Sequence, residues 1–145
     1  MAKIIYTAEA HVTGGRIAGH GRTTDGALEV DIRMPPELGG DGGGTNPEQL
    51  FAIGFAACLE SALGVVARRQ KLEAGDVAID AKVQLVPSQN RSFGLQVSLD
   101  VSLPSIEDAA QATDLVRAAH QVCPYSNATR GNIEVALTAN GSPVA

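Results

Sequence analysis

Cysteine occurs twice in this chain, and the two copies sit in opposite settings. Cys58 lies in "LFAIGFAACLESALGVVA", a stretch with a single charge, whereas Cys123 opens the polar run "CPYSNATRG". Such a pair can form a structural disulfide, contribute to a metal site, or cycle between thiols and disulfide. A metal site would draw on His120 and Cys123, three residues apart, with Cys58 as a third ligand, but no CxxC or HxxxH pair supports it. A structural disulfide needs an oxidising compartment. "MAKIIYTAEAHV" lacks the uninterrupted apolar core and small-residue cleavage site of a secretory signal, so the expected compartment is the cytoplasm. The bland readings stay open too: a free cysteine packs like a small hydrophobe, and a cysteine can simply end a helix before a proline.

Redox chemistry needs a thiolate, and an apolar mid-helix position raises a thiol pKa. Cys58 is also too far from its helix N-terminus to gain from the dipole, which fades after the first turn. A reactive Cys58 therefore requires an imported cation. Arg16, directly after Gly14-Gly15, is one candidate, and Glu48 could hold its guanidinium bidentately. Glu48 and Cys58 are about ten residues apart, roughly 15 Å along a helix, so Glu48 cannot touch the thiol along its own helix. A solvated turn residue and an N-terminal dipole partner are the plain alternatives for Arg16 and Glu48.

The elements that must position these residues are legible as two periodicities. Strict alternation marks strands over 6–12, 28–34, 77–85, 93–103 and 133–137, with Gly14-Gly15 and Asp25-Gly26 as hairpin turns. One helix is predicted from the Asn46 cap and Pro47 to about residue 70, apolar nearly all round and so expected to be buried on most sides. A second is predicted from Ser105, with Asp108 three residues on, to His120 or Gln121, stopped by Pro124. "PPELGGDGGG", 35–44, reads as a flexible loop and not a domain linker. The expectation is one α+β domain over 1–145, with the long helix buried between the subunits of an obligate homodimer.

Composition narrows the partners. Hydrophobic content of 44% with 19% charged residues belongs to an ordinary globular protein. A net charge of −5, with the basic residues scattered, argues against nucleic acid. Residues 50–67 nearly match a membrane span, but Glu60 near the centre would cost about 2.5 to 3.5 kcal/mol there. A buried core helix is the better reading, and no membrane is expected.

Two blocks, "GGDGGGTNPEQLFAIGFAACLESAL" (39–63) and "VCPYSNATRGNIEV" (122–135), resemble the signatures of the organic hydroperoxide resistance (Ohr) family within the OsmC-like superfamily. The resemblance runs essentially the whole length and includes "YTAEAHVTGGR" near the start. It implies an OsmC-like fold, with antiparallel β-sheets packed around long central helices in an intertwined homodimer. It also implies a thiol peroxidase acting on organic hydroperoxides, lipid-derived ones included. By motif position Cys58 is then the peroxidatic thiol, Cys123 the resolving thiol, and Arg16 and Glu48 the activating pair. The family uses no metal or flavin, and dihydrolipoamide or lipoylated proteins reduce its disulfide. On this reading Phe51 and Phe55 hold the substrate's alkyl chain, Cys58 is buried to meet it, and Cys123 reaches in from a hinge-like helix end. An acyl carrier that needs neither thiol, and a redox sensor that acts through a partner, are the competing classes.

Overall fold

The computed structural model describes residues 2–145, which divide into a unit ending at Leu50 and a unit running Phe51–Ala145. The first unit is a three-stranded antiparallel sheet in the order β1 (Ala10–Thr13), β2 (Gly19–Thr23), β3 (Glu29–Ile32). Both predicted turns are present. Gly14 and Gly15 adopt φ of 78° and 61°, and Gly26 adopts 76° after its N–H bonds the Thr23 carbonyl. The first strand is shorter than the alternation predicts. Opposite Ala10 lies Thr23, where β2 ends in its turn, so nothing in the sheet faces the residues before Glu9. Ile4, Ile5 and Tyr6 are accordingly exposed, at 78%, 95% and 77%.

The glycine-rich loop is tied down by hydrogen bonds. Thr45 exchanges backbone bonds with Asp31 and Arg33, the Gly42 N–H donates to the Met34 carbonyl, and Pro36–Leu38 form a 3-10 turn. The division between units falls beyond this loop, after Leu50. Helix α1 (Pro47–Arg69) starts as predicted: the Asn46 side chain accepts from the Gln49 N–H at 2.9 Å, and Pro47 occupies the first helical position.

The second unit holds most of α1, the helices α2 (Ala109–Val122) and α3 (Pro124–Thr129), and a sheet in the order β4 (Ala78–Pro87), β5 (Phe93–Ser102), β6 (Glu134–Ala139), β7 (Ser142–Val144). This sheet is mixed, not purely antiparallel as expected. β5 and β6 pair in parallel, because the chain between them returns through α2 and α3, and such a crossover brings it back to the same end. Val97, Leu99 and Val101 of β5, with Leu103 just beyond it, point inward and are buried, while Gln96 and Asp100 face out. They share one core with Leu137 and Ala139 of β6 and with Ala112, Leu115, Val116 and Ala119 of α2.

Helix α1 joins that core along Phe55, Leu59, Ala62, Leu63, Val66 and Ala67, a stripe at helical spacing. It is long and apolar enough to cross a membrane by length and composition, but this stripe is core packing. Burial on most sides does not hold within one chain: Ile53, Ala57, Ser61 and Gly64 on another face are exposed.

The second helix begins three residues later than predicted. Asp108, not Ser105, is the cap, accepting from the Ala110 and Gln111 N–H groups at 2.9 and 3.2 Å. Three elements went unread: β2, which lies between the two predicted turns, and two more. α3 hides behind Pro124, and β7 follows the tight Asn140-Gly141 turn, both residues at positive φ.

Candidate active site

Arg16 rides on the loop opened by Gly14-Gly15, and Glu48 sits in the first turn of α1, both within the first unit. Their side chains meet edge to edge. Arg16 Nη1 donates to Glu48 Oε2 at 2.9 Å and Nη2 to Oε1 at 2.7 Å, the bidentate contact expected of a guanidinium and a carboxylate. Glu48 is the more enclosed, with 15% of its side chain accessible against 40% for Arg16. The pair polarises both titrations: the hydrogen bond from Arg16 holds the Glu48 carboxyl below its usual value, and Glu48 raises Arg16. The cation is therefore permanent and the carboxylate stays ionised at neutral pH.

The two thiols lie within the second unit and are adjacent. Cys123 Sγ is 3.4 Å from Cys58 Sγ, and both cysteines are free. The expected burial of Cys58 is only partial, and the more enclosed thiol is Cys123. Cys123 is completely buried and belongs to the core, whereas Cys58 is partly accessible at its edge. Local structure explains the difference. Cys58 falls one residue short of Leu59 on the buried stripe of α1, so its sulfur lies at the margin of the packed face. Cys123 is the joint between α2 and α3, and both helices fold over it. The Cys123 N–H still closes the last turn of α2 on the Ala119 carbonyl, and its sulfur accepts from the Ser126 N–H at 3.5 Å.

Desolvation is the main influence on Cys58 and pushes its thiol pKa up, and the neighbouring Cys123 adds to this. A hydrogen bond from the Tyr125 backbone opposes them without reversing the direction. The surroundings of Cys58 thus favour the protonated thiol, as the apolar setting predicts.

Phe51 and Phe55 stand one and two helical turns along α1, and Tyr125 from α3 completes an aromatic cluster that the sequence reading did not include. Ring centroids are 5.9 Å apart for Phe51–Phe55, 5.8 Å for Phe51–Tyr125 and 5.6 Å for Phe55–Tyr125. Phe55 is fully buried, whereas Tyr125 stays 37% exposed. Gly54 makes this possible, since a Cβ there would stand 2.7 Å from the Tyr125 hydroxyl oxygen. The proline directly after Cys123 held the missed signal: proline favours the first position of a new helix as much as it ends an old one.

Comparison with known proteins places this arrangement. The family model described as OsmC-like protein matches residues 40–138. An organic hydroperoxide resistance protein of Xanthomonas axonopodis pv. citri is 51% identical over 140 residues, covering 94% of this chain and 95% of that protein. Among solved structures, an organic hydroperoxide resistance protein from Legionella pneumophila superposes with a TM-score of 0.89 at 49% identity, covering 94% of this chain and 98% of that one. The organic hydroperoxide resistance protein OhrB of Bacillus subtilis gives 0.84 at 44% identity, covering 93% and 98%. With two cysteines side by side in an OsmC-like fold, the chain belongs to the organic hydroperoxide resistance family.

Proposed function

We propose that this protein is a cysteine-based peroxidase that reduces organic hydroperoxides to alcohols. The observation that carries the reading is the 3.4 Å separation of the two free thiols, one partly accessible and one enclosed. Cys58, as thiolate, attacks the terminal peroxide oxygen. The O–O bond breaks, the alcohol leaves with a proton, and Cys58 becomes a sulfenic acid. Cys123 then displaces hydroxide from that sulfur as the disulfide forms, and an external dithiol reopens it by exchange. No metal or bound cofactor takes part.

Arg16 supplies the positive charge that the Cys58 setting lacks, stabilising the thiolate and the charge that develops on the departing oxygen. Glu48 orients the guanidinium by its bidentate grip. Phe51 and Phe55 form the wall against which an alkyl or acyl chain packs, with Tyr125 beside them.

The working unit in this reading is a homodimer in which the whole chain acts as one domain. The exposed Ile4, Ile5 and Tyr6, and the exposed Ile53 face of α1, support a second copy as their cover. In this reading the enzyme is cytoplasmic and is recycled by dihydrolipoamide or a lipoylated protein, as the motif resemblance implies.

Steady-state consumption of an alkyl hydroperoxide with excess dihydrolipoamide tests the function. Many turnovers per chain are expected, faster with a bulky hydroperoxide than with hydrogen peroxide and faster than with glutathione as reductant. One equivalent consumed and no more would reduce the protein to a sensor, and none at all to a carrier.

A further inference from the structure

The joint that carries Cys123 is held by one residue that the proposed chemistry leaves unused. His120 lies in the last turn of α2, and it grips α3 twice. Its ring Nδ1 shares a 2.8 Å hydrogen bond with the hydroxyl of Ser126, a residue with no accessible surface. Its carbonyl accepts from Arg130 Nη2 at 2.6 Å, and Arg130 Nη1 also donates to Asn127 Oδ1 at 2.7 Å. Between these two grips lies Cys123, whose sulfur accepts from the Ser126 N–H. Ser126 thus touches the resolving sulfur with its backbone and His120 with its side chain.

The joint needs such a grip. Cys123 leaves the helical conformation at ψ 123°, and Pro124 has no N–H to carry the α2 hydrogen-bond ladder onward. His120 suits the task as an uncharged partner: burial, then the nearby Arg130 charge, push its pKa down, so the ring is neutral at neutral pH.

We propose that His120, acting through Ser126, is a positioning residue for the resolving step, holding Cys123 in line with the Cys58 sulfur. The proposal rests on the thiol cycle proposed above. In that step the Cys123 sulfur bonds the Cys58 sulfur, the S–O bond of the sulfenic acid breaks, and the leaving hydroxide takes the Cys123 proton as water. A disulfide is about 2.05 Å long, so the sulfurs must close from 3.4 Å along a narrow range of directions. A joint free to swing lowers the effective concentration of one thiol at the other. Oxidation of Cys58 by peroxide does not require the Cys123 sulfur, and the joint enters that step only through Tyr125.

The test separates the two steps. Rapid-quench mass spectrometry after one equivalent of an alkyl hydroperoxide follows Cys58 sulfenic acid as it forms and as it converts to disulfide. In His120→Ala and Ser126→Ala the formation rate should match wild type. Conversion should slow by about three- to tenfold, the worth of one ordinary hydrogen bond. The double variant should be no slower than the slower single one, because both remove the same bond. His120→Asn, which keeps a hydrogen-bonding atom near the Nδ1 position, should recover most of the rate. Arg130→Ala changes an exposed side chain with little risk to folding, and it should slow conversion in the same direction. A parallel series with diamide, which oxidises the two thiols without peroxide, should show the same ranking. Conversion at wild-type rates with both oxidants, additive slowing in the double variant, or an Asn variant as slow as Ala would overturn the clamp. A wild type that forms no sulfenic acid sinks the peroxidase reading instead, and the diamide series then decides the clamp by itself.

Discussion

Arg16 and Glu48 meet where a glycine turn and a helix N-terminus come together, two parallel hydrogen bonds joining side chains that both keep some solvent access. Cys58 and Cys123 meet where the core of the second unit ends, one sulfur at its edge and the other enclosed. The first region is built from charge, and its geometry holds both partners ionised. The second is built from apolar packing, and its geometry keeps the nucleophile protonated. Neither region suffices for chemistry on a hydroperoxide. A guanidinium has no nucleophile to offer, and a thiol in oily surroundings has no charge to spare. The contrast teaches that substrate affinity and thiolate stability make opposite demands on one sulfur, which the proposed mechanism meets with a charge prepared elsewhere in the chain.

The comparison breaks most completely at the thiols. Cys58→Ser should abolish peroxide turnover, since a serine hydroxyl stays protonated at neutral pH and forms no sulfenic acid. Cys123→Ser should permit a single oxidation of Cys58, lose dithiol recycling, and leave Cys58 open to sulfinic acid. Mass spectrometry of peroxide-treated protein reads both outcomes. Residual turnover in Cys58→Ser would move the chemistry to another residue.

Removing the charge should cost less. Arg16→Ala is expected to lower kcat/KM near pH 7 by at least about tenfold, the loss of roughly one charge-assisted contact. Arg16→Lys should rescue poorly, because an ammonium cannot grip Glu48 at two points and also face a sulfur. Glu48→Gln should be milder than Arg16→Ala, since it loosens the guanidinium without removing its charge. A Glu48→Gln loss larger than that of Arg16→Ala would make the carboxylate itself the active group.

A smaller effect sharpens the apolar side. Gly54→Ala places a methyl against the Tyr125 hydroxyl and forces the ring away from Phe51 and Phe55. Efficiency toward a bulky hydroperoxide should fall several-fold, on the order of 1 kcal/mol of lost contact, with hydrogen peroxide less affected. An equal loss for both substrates would mean that the aromatic cluster supports the fold and does not contact the chain of the substrate.

The smallest effect is on stability in acid. Arg16 lowers the Glu48 pKa, so the pair's contribution is fully present above the ordinary glutamate value and is lost only as pH falls through the lowered one. Because Arg16 is partly exposed, solvent screens the pair and the contribution is modest. Thermal melting of wild type and Glu48→Gln should differ slightly at neutral pH and converge on acidification. Curves that stay parallel down to strongly acid pH would assign the difference to something other than this ion pair.

Local signals in the sequence carried far. Asn46-Pro47 announces the start of α1, and the run from Phe93 to Leu103 declares which face of β5 is buried. Gly14-Gly15 and Asp25-Gly26 mark both turns of the first sheet. Side-chain chemistry offered the Arg16–Glu48 contact only as one candidate beside a solvated turn residue and a dipole partner, and the motif resemblance singled it out. What stayed hidden depends on where distant segments return. The parallel pairing of β5 with β6 is set by the crossover, and the alternation of neither strand encodes it. The complete burial of Cys123 depends on α3 folding back over it. The Asn140-Gly141 turn is a readable signal that leads into a strand of only three residues, and Asp108 competes as a cap with Ser105 three residues earlier.

The central claim is that Arg16 turns an otherwise protonated Cys58 into a thiolate. The most direct measurement is the pH dependence of Cys58 alkylation by a small neutral reagent, in Cys123→Ser and in Cys123→Ser with Arg16→Ala. With Arg16 present the thiol should titrate below the ordinary cysteine value. Without it, burial should dominate and the titration should move to higher pH, with part of the reactivity returning as hydroxide supplies the thiolate. Superimposable profiles for the two proteins would contradict the account, leaving Arg16 a turn residue and the activation of Cys58 without a source.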